Sequence, residues 1–183
     1  MAVIRHRTIK VEGLDVFVRE AGDPARPTVV LLPGYPSSTR AYVRLIDRLA
    51  TNWHTVAIDY PGFGSSQPLT ESPTFDRLAE VTGKTIDALQ IGDYAMYMFD
   101  FGSPVGFRIA LQHDQRVRAI ITQNANAYTD GLGPGVAALG AWWQDRARRT
   151  GRRRSVRQRC RYSIAVAGRG PRPRAHRSRA GAG

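Results

Sequence analysis

Three short apolar runs, each ending in a glycine- or proline-marked turn and most followed by a helical pattern, constrain this 183-residue chain most tightly. Thr28-Val29-Val30-Leu31-Leu32 is continuous in the way of a strand covered on both faces, and Pro33-Gly34-Tyr35-Pro36 ends it. Thr55-Val56-Ala57-Ile58-Asp59 repeats the pattern and stops at Pro61-Gly62-Phe63-Gly64. Tyr94-Ala95-Met96-Tyr97-Met98-Phe99 runs straight into Asp100, and Gly102 opens the next helix. Helical spacing predicts helices from about Ser38 to Ala50, Phe75 to Leu89 and Gly102 to His113. A further strand, Ala119–Gln123, follows, and residues 8–20 around Gly13 have the period-two pattern of a hairpin.

Strands alternating with helices require crossover connections, so the expected class is α/β: a doubly wound, mostly parallel sheet with helices on both faces. Ligand chemistry in such sheets collects beyond the carboxyl ends of the strands. Three turns, Pro33–Pro36, Pro61–Gly64 and Asp100–Gly102, are therefore expected to converge on one edge.

Charge divides the chain. The whole carries +12, with 27 Lys and Arg against 15 Asp and Glu. All 15 acids fall in residues 1–145, beside 13 Lys and Arg, so that part is at 13 − 15 = −2. Residues 146–183 carry the remaining 14 Arg and no acid. The expected domains are thus a partial globular core over 1–145 and an arginine-rich, disordered tail over 146–183. A tail of Arg, Ala, Gly, Pro and Ser without Lys is what GC-rich DNA encodes out of frame, so a frameshift near residue 146 is predicted. A genuine basic arm contacting nucleic-acid phosphates is the alternative. Lone Cys160 excludes an intrachain disulfide framework, and no apolar run is long enough to cross a bilayer, so a cytoplasmic protein without membrane contact is expected.

A strand, then Met98-Phe99-Asp100-Phe101-Gly102, then a helix is the layout of a nucleophile elbow. Such a turn aims the central side chain above the sheet and needs small neighbours, which Gly102 provides. A carboxylate there attacks an sp³ carbon and forms an ester. Taken alone, Asp100 is also a plausible helix cap.

Leu31–Ser38, Asp59–Ser66 and Phe99–Gly106, in that order and spacing, together resemble the haloalkane dehalogenase and epoxide hydrolase branch of the α/β-hydrolases. The resemblance covers about residues 8–145 and implies the first six strands of an eight-stranded sheet. It also implies a hydrolase forming an Asp-ester intermediate on a small apolar substrate of epoxide or alkyl halide type, with no cofactor, no metal and no specific nucleic-acid partner. Carried over by position, Asp100 is the nucleophile, the N–H groups of Tyr35 and Phe101 form the oxyanion hole, and Gly34, Pro36 and Gly102 support elbow and loop.

Three departures from the pattern matter. Pro33 stands where the loop usually has His, and Met98 where serine enzymes have Gly. Phe101 and Tyr35 occupy the places where dehalogenases hold halide with side-chain N–H donors, so dehalogenation is not favoured over epoxide opening. The general-base His and its acid are expected to be absent. His54 lies at the entry of a strand, His6 before the first strand, His113 at a helix end and His176 in the tail. This chain is therefore expected to lack turnover. Asp59 reads as a polar residue closing its strand, Asn124 and Asn126 as loop residues, and Trp142 and Trp143 as the start of a lid.

Overall fold

The computed structural model describes residues 2–128. Six strands form one sheet in the order β1-β2-β4-β3-β5-β6. β1 (Arg5–Val11) and β2 (Leu14–Ala21) make an antiparallel hairpin, and β2 pairs antiparallel with β4 (His54–Ile58). β3 (Thr28–Leu32) lies parallel to both β4 and β5 (Tyr94–Phe99), and β6 (Val117–Gln123) adds to β5 in parallel. The sequence placed these strands within two or three residues, except that β1 begins at Arg5. His6 therefore lies within β1, not before it. Its period-two partner pattern was masked by charged residues on an exposed strand.

The first helical segment is split. A 3-10 turn over Thr39–Tyr42 leads into α1 (Val43–Leu49), while α2 (Phe75–Ala88) and α3 (Gly102–Gln112) match their sequence signals. Ser38 caps the 3-10 turn by accepting from the Arg40 N–H, and Thr74 caps α2 by accepting from the Arg77 N–H. α2 turns Leu78, Val81 and Ile86 inward, with Leu89 packed beside them.

The two faces of the sheet are both covered, as alternation along β3 makes plain. Val30 and Leu32 join Val56, Ile58, Met96 and Met98 beneath α2 and α3. Val29 and Leu31 join Ala57, Tyr42 and Ile46 on the α1 side. Full burial of side chains such as Leu32, Ile46 and Ile86 contributes about 1.5–3 kcal/mol each. β6 is the exception: its outer edge pairs with nothing among the described residues, and Ile120 and Ile121 stay 42% and 48% exposed.

At the amino ends of the parallel strands a polar chain, buried at Thr28, His54 and Glu20 and reaching the surface at Arg7, links four strands. Thr28 Oγ1 meets His54 Nδ1 at 3.0 Å, and His54 Nε2 meets Glu20 Oε1 at 3.0 Å. The second oxygen of Glu20 accepts from Arg7 at 2.8 Å. Burial raises the Glu20 carboxyl, but the hydrogen bonds from Arg7 and His54 outweigh it and hold the group below its ordinary 4.5. A depressed folded-state pKa contributes stability above the unfolded value, which is lost as pH falls through the folded one. Urea midpoints are thus expected to drop as pH falls below about 4.5, and Glu20→Gln is expected to flatten that slope while lowering stability at neutral pH by about 2 kcal/mol. An unchanged acid slope in Glu20→Gln would assign it to other carboxylates.

Candidate active site

Chain order and sheet order together fix where a site can form. From β3 the chain crosses to β4 on one side, and later strands β5 and β6 build outward on the other. The reversal leaves a crevice beyond the carboxyl ends of β3 and β5. Residues 33–36 leave β3 there, and Asp100 leaves β5.

Asp100 sits between β5 and α3 with φ 52°, a left-handed conformation that costs a residue with a Cβ about 1–2 kcal/mol. The turn is locked from several sides. The Ser103 N–H and Oγ both donate to the Asp100 carbonyl, at 3.0 and 2.7 Å, and the Asp100 N–H reaches the Gln123 carbonyl at 3.3 Å. Its carboxylate is held asymmetrically. Oδ1 accepts from the Tyr35 N–H at 2.8 Å and from the Phe101 N–H at 2.7 Å, whereas Oδ2 accepts from no described residue.

Close packing of backbone makes this possible. A Cβ on Gly34 would stand 2.6 Å from the Asp100 Cβ, and one on Gly102 would stand 2.4 Å from the Leu32 carbonyl oxygen. Pro36 follows a cis peptide after Tyr35 and lines the adjoining cleft. With Pro33 in the loop, the end of β3 is braced instead by the buried Tyr42, whose hydroxyl donates to the Leu32 carbonyl at 2.8 Å. Burial raises the Tyr42 phenol far above its ordinary value, so it remains a donor.

Met98 fits because its neighbour is small. A Cβ on Gly106, one turn into α3, would lie 2.1 Å from Met98 Sδ. Gly106→Ala and Met98→Ala are each expected to destabilise by about 2–3 kcal/mol, one by overpacking and one by a cavity. The double substitution is expected to cost at least 1 kcal/mol less than their sum, as neighbours in contact do. Additive losses in denaturant unfolding would show that the two do not compensate.

The third loop joins through Asp59, which is 2% exposed. Its Oδ1 accepts from the Thr39 N–H at 2.7 Å and its Oδ2 from the Ser65 N–H at 2.9 Å. A Cβ on Gly64 would fall 1.9 Å from Oδ2, so only glycine admits the approach. Both oxygens are engaged in tying the Tyr35 loop to the Phe63 loop, which agrees with reading Asp59 as a structural closure. Four aromatic rings form a connected cluster that includes the two residues whose N–H groups hold Oδ1. Tyr35 lies 5.1 Å from Phe101 and 6.2 Å from Phe63, and Phe75 lies 5.1 Å from Phe101.

None of the three described histidines approaches Asp100. His54 is bound between Thr28 and Glu20 at the opposite edge, as its place at a strand entry suggested. His6 pairs with Arg19 on the hairpin. His113 caps the end of α3 against the Tyr94 hydroxyl, and burial lowers its pKa. Asn126 donates to the Tyr128 carbonyl, and Asn124 follows β6 with φ 48°. His176, Trp142, Trp143 and the arginine-rich tail lie outside the described residues. Among the described residues no helix is long and apolar enough to cross a membrane.

Residues 27–176 match the family described as the alpha/beta hydrolase fold. The chain belongs to the α/β-hydrolase family. An uncharacterised hydrolase of Saccharomyces cerevisiae is 46% identical over 136 residues, which are 71% of this chain and 46% of that protein. Haloalkane dehalogenase 1 of Mycobacterium tuberculosis is 34% identical over 101 residues, 54% of this chain and 34% of that one. The crystal structure of an epoxide hydrolase from Vigna radiata aligns with a TM-score of 0.65 at 26% identity, covering 75% of this chain and 44% of the other. The chain spans less than half the length of these relatives.

Proposed function

We propose that this α/β-hydrolase chain carries the nucleophile half of an enzyme that opens small apolar epoxides or alkyl halides through an ester on Asp100. The asymmetric grip on the carboxylate carries the reading. Oδ1 is tied down by the Tyr35 and Phe101 N–H groups, and Oδ2 accepts from no described residue, while the rings of the two donor residues pack against each other at 5.1 Å. A plain helix cap has no need of donors from a second loop, and the left-handed backbone at Asp100 is strain of the kind functional turns retain.

In the first step Oδ2 attacks the sp³ carbon. A C–O bond forms while the bond to the leaving group breaks, its electron pair departing on halide or on an epoxide oxygen that then takes a proton from water. In the second step water loses a proton to a base and adds to Asp100 Cγ, and negative charge moves onto Oδ1, where two N–H groups already point. The Cγ–Oδ2 bond then breaks to release the alcohol, which takes up the proton. That step needs a general base, and no described residue is placed to serve. The 183 residues by themselves are thus proposed to form the ester without completing the cycle.

Relatives that are a haloalkane dehalogenase and an epoxide hydrolase favour this substrate class. Between the two, the rings of Tyr35 and Phe101 offer no side-chain N–H to a halide, which leaves epoxide opening at least as well served. Peptide mapping after exposure to an epoxide or alkyl bromide tests the reading. An adduct on Asp100, abolished in Asp100→Asn, supports it, and labelling confined to other side chains removes it.

A further inference from the structure

Beside the Tyr35 ring opens a second recess, a cleft of about 680 Å³ lined by residues 35–38, Arg40 and residues 62–64. Its walls are unlike its rim. Tyr35 and Phe63 present ring surface, and Tyr35 is 60% exposed. Ser37 and Ser38 supply hydroxyls, and among the described residues Arg40 is the only charged one in the lining. The Arg40 side chain is exposed and pairs with no acid among the described residues. The two carboxylates of the loop network, Asp59 and Asp100, are already held by backbone N–H groups. Arg44 and Arg48 continue the exposed face at four-residue intervals, again without an acid partner among the described residues. A solvated arginine face is the ordinary expectation on a helix. This one instead begins at the mouth of an aromatic-walled cleft adjoining a nucleophile, in a part of the chain whose net charge is −2.

We propose that this cleft binds the far end of a substrate that bears a carboxylate, with its apolar body against Tyr35 and Phe63 and its anionic group at Arg40. The proposal rests on Asp100 as the reacting group. The chemistry favours such a division. A carboxylate on the substrate is repelled by the Asp100 carboxylate, so it is tolerated only where a cation offsets it away from the reacting carbon. Arg presents a planar fork of donors matched to a carboxylate, and the Ser38 hydroxyl, which accepts from the Arg40 N–H, keeps its own hydrogen to donate. The resulting class is a short aryl- or alkyl-carboxylate with an epoxide or halide at the other end.

Binding is measured by titration of the 183-residue chain with 4-phenylbutyrate and with its uncharged amide, in wild type and in Arg40→Gln. The tail arginines are common to both proteins, so only the difference between them counts. The carboxylate is expected to bind about fivefold to tenfold more tightly than the amide. That preference is expected to collapse in Arg40→Gln and to shrink in high salt. Equal binding of acid and amide, or a preference that survives Arg40→Gln, overturns the proposal. In parallel, 6-bromohexanoate and its methyl ester are compared for adduct formation at Asp100. Equal labelling by both removes the carboxylate preference but leaves Asp100 as nucleophile. Labelling of neither removes the nucleophile reading, while the binding titration still decides whether Arg40 recognises the acid.

Discussion

A single adduct per molecule, on Asp100 and persistent, is the expected result of incubating the 183-residue chain with excess epoxide or alkyl bromide. On the proposed reading Oδ2, which accepts from no described residue, is the attacking atom, and no described residue stands ready to activate the water that would release the ester. A positioned general base contributes about 10²–10⁴-fold to such a step, so the ester is expected to outlive that of a complete enzyme by a similar factor. Intact-mass measurement over time reads this directly: one increment appears and stays. In Asp100→Asn the increment does not appear, because the amide keeps an acceptor for the Tyr35 and Phe101 N–H groups but offers no anionic oxygen. Free imidazole supplied in solution is expected to hasten loss of the adduct by acting as the missing base. Sustained product formation at many turnovers per chain, dependent on Asp100, would refute the reading that these residues stop at the ester. It would also require a base among residues not described.

Much of this was legible in the sequence because the sheet is buried on both faces. The runs Thr28–Leu32 and Tyr94–Phe99 are apolar enough to be recognised without periodicity, and each ends at a turn that punctuates it. The carboxyl-end rule together with the three spaced motifs brought Tyr35, Phe101 and Asp100 to one edge, and in the structure both N–H groups donate to Asp100 Oδ1. What stayed hidden belongs to tertiary packing. That Met98 is tolerated depends on Gly106 eight residues later on a facing helix, which no local pattern announces. Asp59 looks like any polar residue closing a strand until its two oxygens are found on Thr39 and Ser65, in different loops. The split of the first helix into a 3-10 turn and α1 also escaped, because Tyr42, Leu45, Ile46 and Leu49 keep helical spacing whichever turn precedes them. Arg40 carried no signal at all. Its interest comes from the cleft that the loops around Phe63 and Tyr35 enclose.

Gly34→Ala is expected to disturb Asp100 directly, because the methyl it adds meets that side chain itself. The added Cβ would lie 2.6 Å from Asp100 Cβ, 2.8 Å from Phe99 Cδ1 and 3.0 Å from Asp100 Oδ1. The first of these belongs to a side chain whose backbone is pinned by Ser103 and Gln123, so it has little room to retreat. Either the Tyr35 loop moves outward and its N–H leaves Oδ1, or the carboxylate turns and Oδ2 loses its aim. A misplacement near 1 Å costs about 100-fold in a reaction governed by orientation. Adduct formation at Asp100 is therefore expected to slow by about that factor, with a stability loss of about 1–3 kcal/mol from overpacking. Gly92→Ala is the matched control, since a Cβ there meets nothing within 4 Å and the backbone has no positive φ. That variant is expected to fold and to label as wild type does. If Gly34→Ala labels at the wild-type rate while remaining folded, the close approach of the Tyr35 loop is not what aims Asp100. The two N–H bonds to Oδ1 would then be a feature of packing and not of the chemistry.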